Sequence, residues 1–363
     1  MRGGRRNDTQ VLHVSDGPNL YLDMDEIERL KSRVTSDNPL WQRLWQNYVD
    51  EAEEGLATAP SPVVGDYDPG EVGVYVDGHP NPGWTRENYY QLIWDCKRAR
   101  SLGLVYAVTG RNECAVRAGE YVDAWVNNMA PRIGGGHVLE AEITLPAMLW
   151  GMDLCRTFEE WSEKRHESLC AWLVELSSGI ENHRPNNHGD WANHFCQVVG
   201  TYSEREDVYR FGTDSPDNPE SFVKHMDTSM TDEGVMPLEK KRANGYGYST
   251  YTLNAWCLSA EVARHKGEDL YNLMVDGKGL QLAMDFHAGF FTGEKSAREF
   301  FGADLTVEQK GDPSPYELGA KTWPDDERMT AVLRAVGRES WEKRILGWPA
   351  LTHGLDPLPE EKA

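Results

Sequence analysis

The chain has 363 residues, of which 39% are hydrophobic and 10% aromatic, enough apolar material to bury a sizeable core. Its 59 acidic against 37 basic side chains give a net charge of -22, which argues against the basic face that a nucleic-acid binder needs. No run of about 18 apolar residues occurs, so no membrane-spanning helix is expected.

In chain order, Met1-Arg2-Gly3-Gly4-Arg5-Arg6 is basic but precedes no apolar segment, so these residues do not read as a secretory leader. A periplasmic or secreted location is expected if a leader has been removed. Residues 1–20 read as an extended arm. Apolar residues then recur at helical spacing through 25–54, 88–108, 143–158, 191–202, 270–290 and 326–346. The same spacing links Ala118, Tyr121, Val122, Trp125 and Met129, then Leu169, Trp172, Leu173, Leu176 and Ile180, then Leu253, Trp256, Cys257 and Ala260. Val72-Gly73-Val74-Tyr75-Val76 is the best of few strand candidates. The expectation is an all-α protein of ten or more helices, forming one domain over residues 1–363.

Polar, Pro/Gly-rich stretches at 56–87, 131–137, 203–220, 229–250 and 306–327 read as long loops, which in compact domains tend to carry function. Six cysteines include no C-x-x-C pair and mostly fall in apolar helical patterns, so they read as buried free thiols.

Two segments concentrate chemistry. The run His183-Arg184-Pro185-Asn186-Asn187-His188-Gly189-Asp190-Trp191-Ala192-Asn193-His194 precedes an apolar helix. The run from Pro237-Leu238-Glu239 through Lys240-Lys241-Arg242 to Tyr246, Tyr248 and Tyr251 sets a basic cluster and three tyrosines before another. His183, His188 and His194 lie five and six apart, not at the i, i+4 spacing of a helical zinc pair, and neither a metal nor a cofactor is expected. There is no G-x-S-x-G elbow and no P-loop. A carboxylate pair for glycoside hydrolysis stays open, because acidic residues are abundant.

Asn, His, Arg and Tyr together suit β-elimination from a polyuronate. Removing the C5 proton beside a uronate carboxylate builds a second negative charge on the carboxyl group. Amide, imidazole and guanidinium donors stabilise that charge as it develops. A tyrosine can take the proton and return it to the departing O4 when both lie on one face of the sugar. No metal is required.

Asn186-Asn187-His188 with a following Trp, then Pro237-Leu238-Glu239 with Arg242, then Tyr248-x-x-Tyr251-x-Leu253, resembles the alginate lyases of polysaccharide lyase family 5 and the related uronate lyases of family 38. The resemblance is local to about residues 180–260. It implies an (α/α) toroid of antiparallel helix pairs and cleavage of β-1,4-linked mannuronate. It also implies a catalytic set of Asn187, His188, Arg242 and Tyr248, with Asn186, Trp191, Tyr246 and Arg184 on the substrate. The expected partner is an anionic polysaccharide, with neither nucleic acid nor membrane.

Two departures matter. The family separates its Arg and Tyr by seven residues, whereas Arg242 and Tyr248 are six apart, which keeps Tyr246 as a rival. Gly189-Asp190 also replaces the residues expected after the histidine. Alternatives remain for each group: Asn186 or Asn187 as a helix cap, and the tyrosines as an aromatic helix face. A glucuronan lyase, a helical-toroid glycoside hydrolase and a non-catalytic polysaccharide-binding protein are the competing functions.

Overall fold

The computed structural model describes residues 17–67, 75–76, 79–80, 87–133, 138–160, 162–179, 184–302, 311–340, 342 and 344–356. The helical stripes become buried faces. Helix Asn112–Asn128 buries Ala118, Tyr121, Val122 and Trp125, and helix Glu163–Ser178 buries Leu169, Trp172, Leu173 and Leu176. Start signals also hold. The Ser162 side chain accepts from the Arg165 N–H, and Asn38 precedes Pro39 while accepting from Leu40 and Trp41. Asp23 and Glu26 form a capping box on helix Met24–Val34.

These helices pair as an (α/α) toroid. Helix Glu87–Thr109 packs on Pro39–Ala57, Asn112–Asn128 and Leu145–Leu154, and helix Asn187–Tyr202 packs on Glu163–Ser178, Glu206–Thr213 and Gly245–His265. Neighbours joined by short links, such as Glu87–Thr109 and Asn112–Asn128, run antiparallel. One crossing is closer than side chains allow: a Cβ on Gly103 would meet the Gly151 carbonyl oxygen at 2.2 Å, and one on Gly151 would meet the Ala99 carbonyl oxygen at 2.3 Å. The shared core runs in sequence from Leu20 to Leu351 and fully buries the indoles of Trp125, Trp150, Trp191 and Trp256.

Several segments differ from the periodicity reading. The expected loop 203–220 holds helix Glu206–Thr213, and 229–250 holds Pro237–Lys240 and the start of Gly245–His265. Gly65–Tyr67 pairs in parallel with Met129–Ile133, a contact across more than sixty residues that no local pattern signals. Tyr75–Val76 pairs antiparallel with His79–Pro80, while residues 72–74 lie outside the described residues. Of the expected arm, Gly17–Leu20 is described. It has no regular structure, and the Asn19 and Leu20 N–H groups donate to Asp153 Oδ2 at 2.9 and 2.8 Å. All six cysteines are free thiols, and all but Cys170 are buried.

Candidate active site

Helix Asn187–Tyr202 begins inside the histidine-rich run. Asn186 is its cap, with extended backbone and a side-chain oxygen accepting from the His188 N–H at 3.1 Å. Asn187 is fully buried, and both its backbone N–H and its Nδ2 donate to Glu239 Oε1, at 2.8 and 2.9 Å. Gly189 explains one departure from the family pattern. A Cβ there would lie 2.2 Å from the Arg184 carbonyl oxygen and 3.0 Å from His225 Cε1, so no side chain fits.

The second wall is the turn after helix Pro237–Lys240. Arg242 leaves that turn one-third exposed, with Nη1 3.8 Å from Glu239 Oε2. Asn244 caps helix Gly245–His265 by accepting from the Gly247 N–H at 3.1 Å. Tyr248 lies in the first turn, and the Arg242 guanidinium carbon sits 3.6 Å from its ring centroid. Glu239 therefore links Asn187 to Arg242, and Arg242 lies over Tyr248.

His188 completes the cluster. Burial, then Arg184 and Arg242, push its pKa down to about 4, so the ring is neutral near pH 7. Arg184 Nη1 lies 3.1 Å from His188 Nδ1, and a guanidinium can only donate. Nδ1 therefore accepts, the proton sits on Nε2, and that N–H is free to serve as a donor. Positive charge beside it comes from Arg184, which is exposed, and Arg242. Lys240 is turned away, with Nζ 3.7 Å from the Phe300 ring centroid.

The structure separates the two candidate tyrosines. Tyr246 is buried among Phe290, Phe291 and Phe301, with ring centroids 5.5 to 5.7 Å away, and burial alone raises its pKa. Trp191 is also buried, stacked 4.8 Å from Tyr251, so it reaches a ligand only through other side chains. His194 is a core residue, 2.8 Å from the Tyr21 hydroxyl, and His183 lies outside the described residues.

Other groups around the site carried no motif. Asp190 Oδ1 accepts from Trp256 Nε1 at 2.6 Å and lies 2.5 Å from His225 Nδ1, while His225 Nε2 lies 2.9 Å from Glu220 Oε2. Burial opposes a charge on His225, but Asp190 and Glu220 outweigh it and raise its pKa. Beyond Tyr251, the Arg344 guanidinium lies 5.6 Å from that ring and bonds the Tyr89 hydroxyl. The residue type alone could have flagged Glu239, which sits inside the quoted Pro-Leu-Glu run. Asp190, His225 and Arg344 are joined only by the fold.

The family profile described as Alginate lyase matches residues 36–297. Among solved structures, an alginate lyase from Bacteroides ovatus aligns with a TM-score of 0.72 at 16% identity, covering 93% of this chain and 99% of that one. Alginate lyase A1-III from Sphingomonas species A1 aligns with a TM-score of 0.70 at 15% identity, covering 95% and 98%. A histidine-to-alanine form of A1-III complexed with tetrasaccharide aligns with a TM-score of 0.70 at 15% identity, covering 92% and 94%. Comparison with curated proteins gives no match. At these identities the structures establish a common fold.

Proposed function

The chain belongs to the alginate lyase family, and we propose that it cleaves β-1,4-linked polymannuronate by syn β-elimination, leaving an unsaturated uronate at the new non-reducing end. The observation that supports this reading is Arg242 lying over Tyr248 at 3.6 Å, beside a neutral His188 whose Nε2–H is free to donate.

In this reading, the uronate carboxylate is bound by Arg242 and the His188 Nε2–H, which gain strength as charge builds on it. Tyr248 takes H5 through its side-chain oxygen, the C4–C5 double bond forms, and the C4–O4 bond breaks. The same phenol then returns its proton to O4. Asn187 acts from behind as a positioning residue, because its carboxamide is buried and bonded to Glu239. Arg184 fixes the tautomer of His188 and presents its charge to the polymer.

The test is incubation with polymannuronate, polyguluronate and glucuronan, following ultraviolet absorbance of the unsaturated product. Absorbance gain on polymannuronate above the others is expected. A saturated new chain end would identify a hydrolase, and no chain scission on any uronan would end the lyase reading. Preference for glucuronan would keep the chemistry and change the sugar, since glucuronate and mannuronate differ only at C2.

A further inference from the structure

The first turns of helix Glu87–Thr109 carry a face that the fold does not use. Among the described residues, Tyr90 and Trp94 are the only Phe, Tyr or Trp rings left largely exposed, at 45% and 44%. They lie four residues apart and Lys97 follows three further on, so all three share one side of the helix. The Lys97 ammonium sits 4.9 Å from the centroid of the Trp94 indole, while Lys97 itself is buried. Single exposed apolar side chains are ordinary, but two aromatic rings on one helix face, backed by a cation, mark a binding surface.

This face is joined to the site by a chain of contacts. Tyr251 lies about one turn beyond Tyr248 on helix Gly245–His265, and the Arg344 guanidinium carbon is 5.6 Å from its ring centroid. Arg344 donates to the Tyr89 hydroxyl, and the Tyr89 ring centroid lies 6.1 Å from that of Tyr90. Arg344 also acts on Lys97. Burial, then Arg100, bring the Lys97 pKa down to about 8, with Glu51 and Glu342 opposing and Arg344 adding to the shift. Lys97 therefore keeps its charge at neutral pH. Arg344 stands between the helix that bears Tyr248 and the Tyr90–Trp94 face, and its charge joins that of Lys97 behind the rings.

We propose that Tyr90 and Trp94 form an outlying substrate-binding platform, on which a sugar of the bound uronan several units from the cleaved bond stacks. A pyranose ring packs its C–H groups on an indole or phenol face and keeps its carboxylate and hydroxyls at the edge. Flat rings supply that contact with little side-chain freedom to lose. The positive charge of Lys97 and Arg344 favours a carboxylated sugar on a chain whose net charge of -22 otherwise repels one. A short oligomer that fills only the cleavage point does not reach the platform, so its contribution appears with chain length. This rests on the uronan-lyase reading.

The test measures binding of a mannuronate trimer and a decamer by calorimetry, in Tyr248→Phe protein alone and with Trp94→Ala or Trp94→Tyr added. Trp94→Ala should weaken the decamer about tenfold and the trimer by less than about twofold, the loss that follows truncation of an aromatic anchor. Trp94→Tyr keeps a flat ring and should recover most of that affinity. Equal effects on the two lengths, or none on either, would overturn the proposal. With Tyr248 intact, Trp94→Ala should raise KM for polymannuronate while kcat stays within about twofold, the mark of lost uniform binding. A fall in kcat at unchanged KM would also overturn it. If wild-type protein eliminates no uronan and Trp94→Ala still removes the advantage of the decamer, the lyase reading falls and this inference stands.

Discussion

Arg242 and Tyr248 meet across the start of a helix, guanidinium carbon to ring centroid 3.6 Å, although Asn244 and its capping turn lie between them. Such a contact is worth about 0.5–1 kcal/mol at a partly exposed site, enough to hold one tyrosine of the three in register with the arginine. Tyr246, two residues earlier on the same helix, is turned into the phenylalanine cluster instead.

Tyr248→Phe should therefore abolish nearly all turnover while polymer binding persists. One acid or base contributes on the order of 10²–10⁴ in rate, and a residue filling both roles sits at the top of that range. Tyr246→Phe should leave kcat within about threefold, because the ring stays in its aromatic cluster. Steady-state rates and binding of the same oligomer check both. Full activity in Tyr248→Phe would return that ring to a structural role.

Gly189→Ala should damage the site without touching a reactive group. The added methyl meets backbone at 2.2 Å, so the Arg184 segment must move. Overpacking of this kind costs about 1–3 kcal/mol, and the Arg184 bond to His188 should be lost with it. The expected result is a lower thermal midpoint together with a clear fall in kcat. A variant as stable and active as wild type would show that the segment yields freely.

Glu239 offers a test of positioning. Glu239→Ala leaves the Asn187 N–H and Nδ2 buried without an acceptor, at about 1–3 kcal/mol for each. Glu239→Gln keeps an acceptor oxygen and should recover most of that stability, yet it replaces the carboxyl oxygen near Arg242 by an amide and should lower kcat more than it raises KM. Equal losses in both variants would mean that Glu239 serves packing alone.

The helical class was legible because apolar stripes over a dozen residues outweigh local exceptions. Ala118 through Trp125 is a clear case. The start of helix Gly245–His265 was not legible, since Gly245 and Gly247 read as loop residues. The structure uses their lack of a side chain: a Cβ on Gly247 would meet the Asn244 cap at 2.4 Å. Asn187 and Arg242 meet through Glu239, and Arg242 in turn lies over Tyr248 and acts on His188, links between two distant segments that spacing could not supply.

The His225 and Asp190 pair should leave a signature in stability against pH. The folded pKa of His225 is raised above its ordinary 6.5. Its contribution is thus complete below about pH 6.5 and is lost as pH rises through the folded value. Asp190→Asn should cost about 3–5 kcal/mol at about pH 6, with the gap to wild type narrowing as pH climbs. Urea midpoints of the two proteins across that range test it, and a constant gap would mean that His225 is neutral throughout.

Salt should reveal which charges steer the polymer. The chain carries -22 overall, while Arg184 and Arg242 are the cations acting on His188. Screening over about 10 Å at 0.1 M weakens the repulsion by the distant surface more than the contacts within the site. An activity optimum at moderate or high salt is expected, read from initial rates over a sodium chloride series. A rate that only declines from the lowest salt would assign control to the local cations.

The glycine crossing between helices Glu87–Thr109 and Leu145–Leu154 has a mechanical consequence. With main chain against main chain at Gly103 and Gly151, there is no layer of side chains to shear or repack at that crossing. They behave as a riveted beam. One helix carries Tyr89, whose hydroxyl holds Arg344, and the other carries Asp153, which accepts from Asn19, Leu20 and Arg156. Displacing that beam moves both contacts at once, so a single methyl placed at the rivet would be felt at the two together.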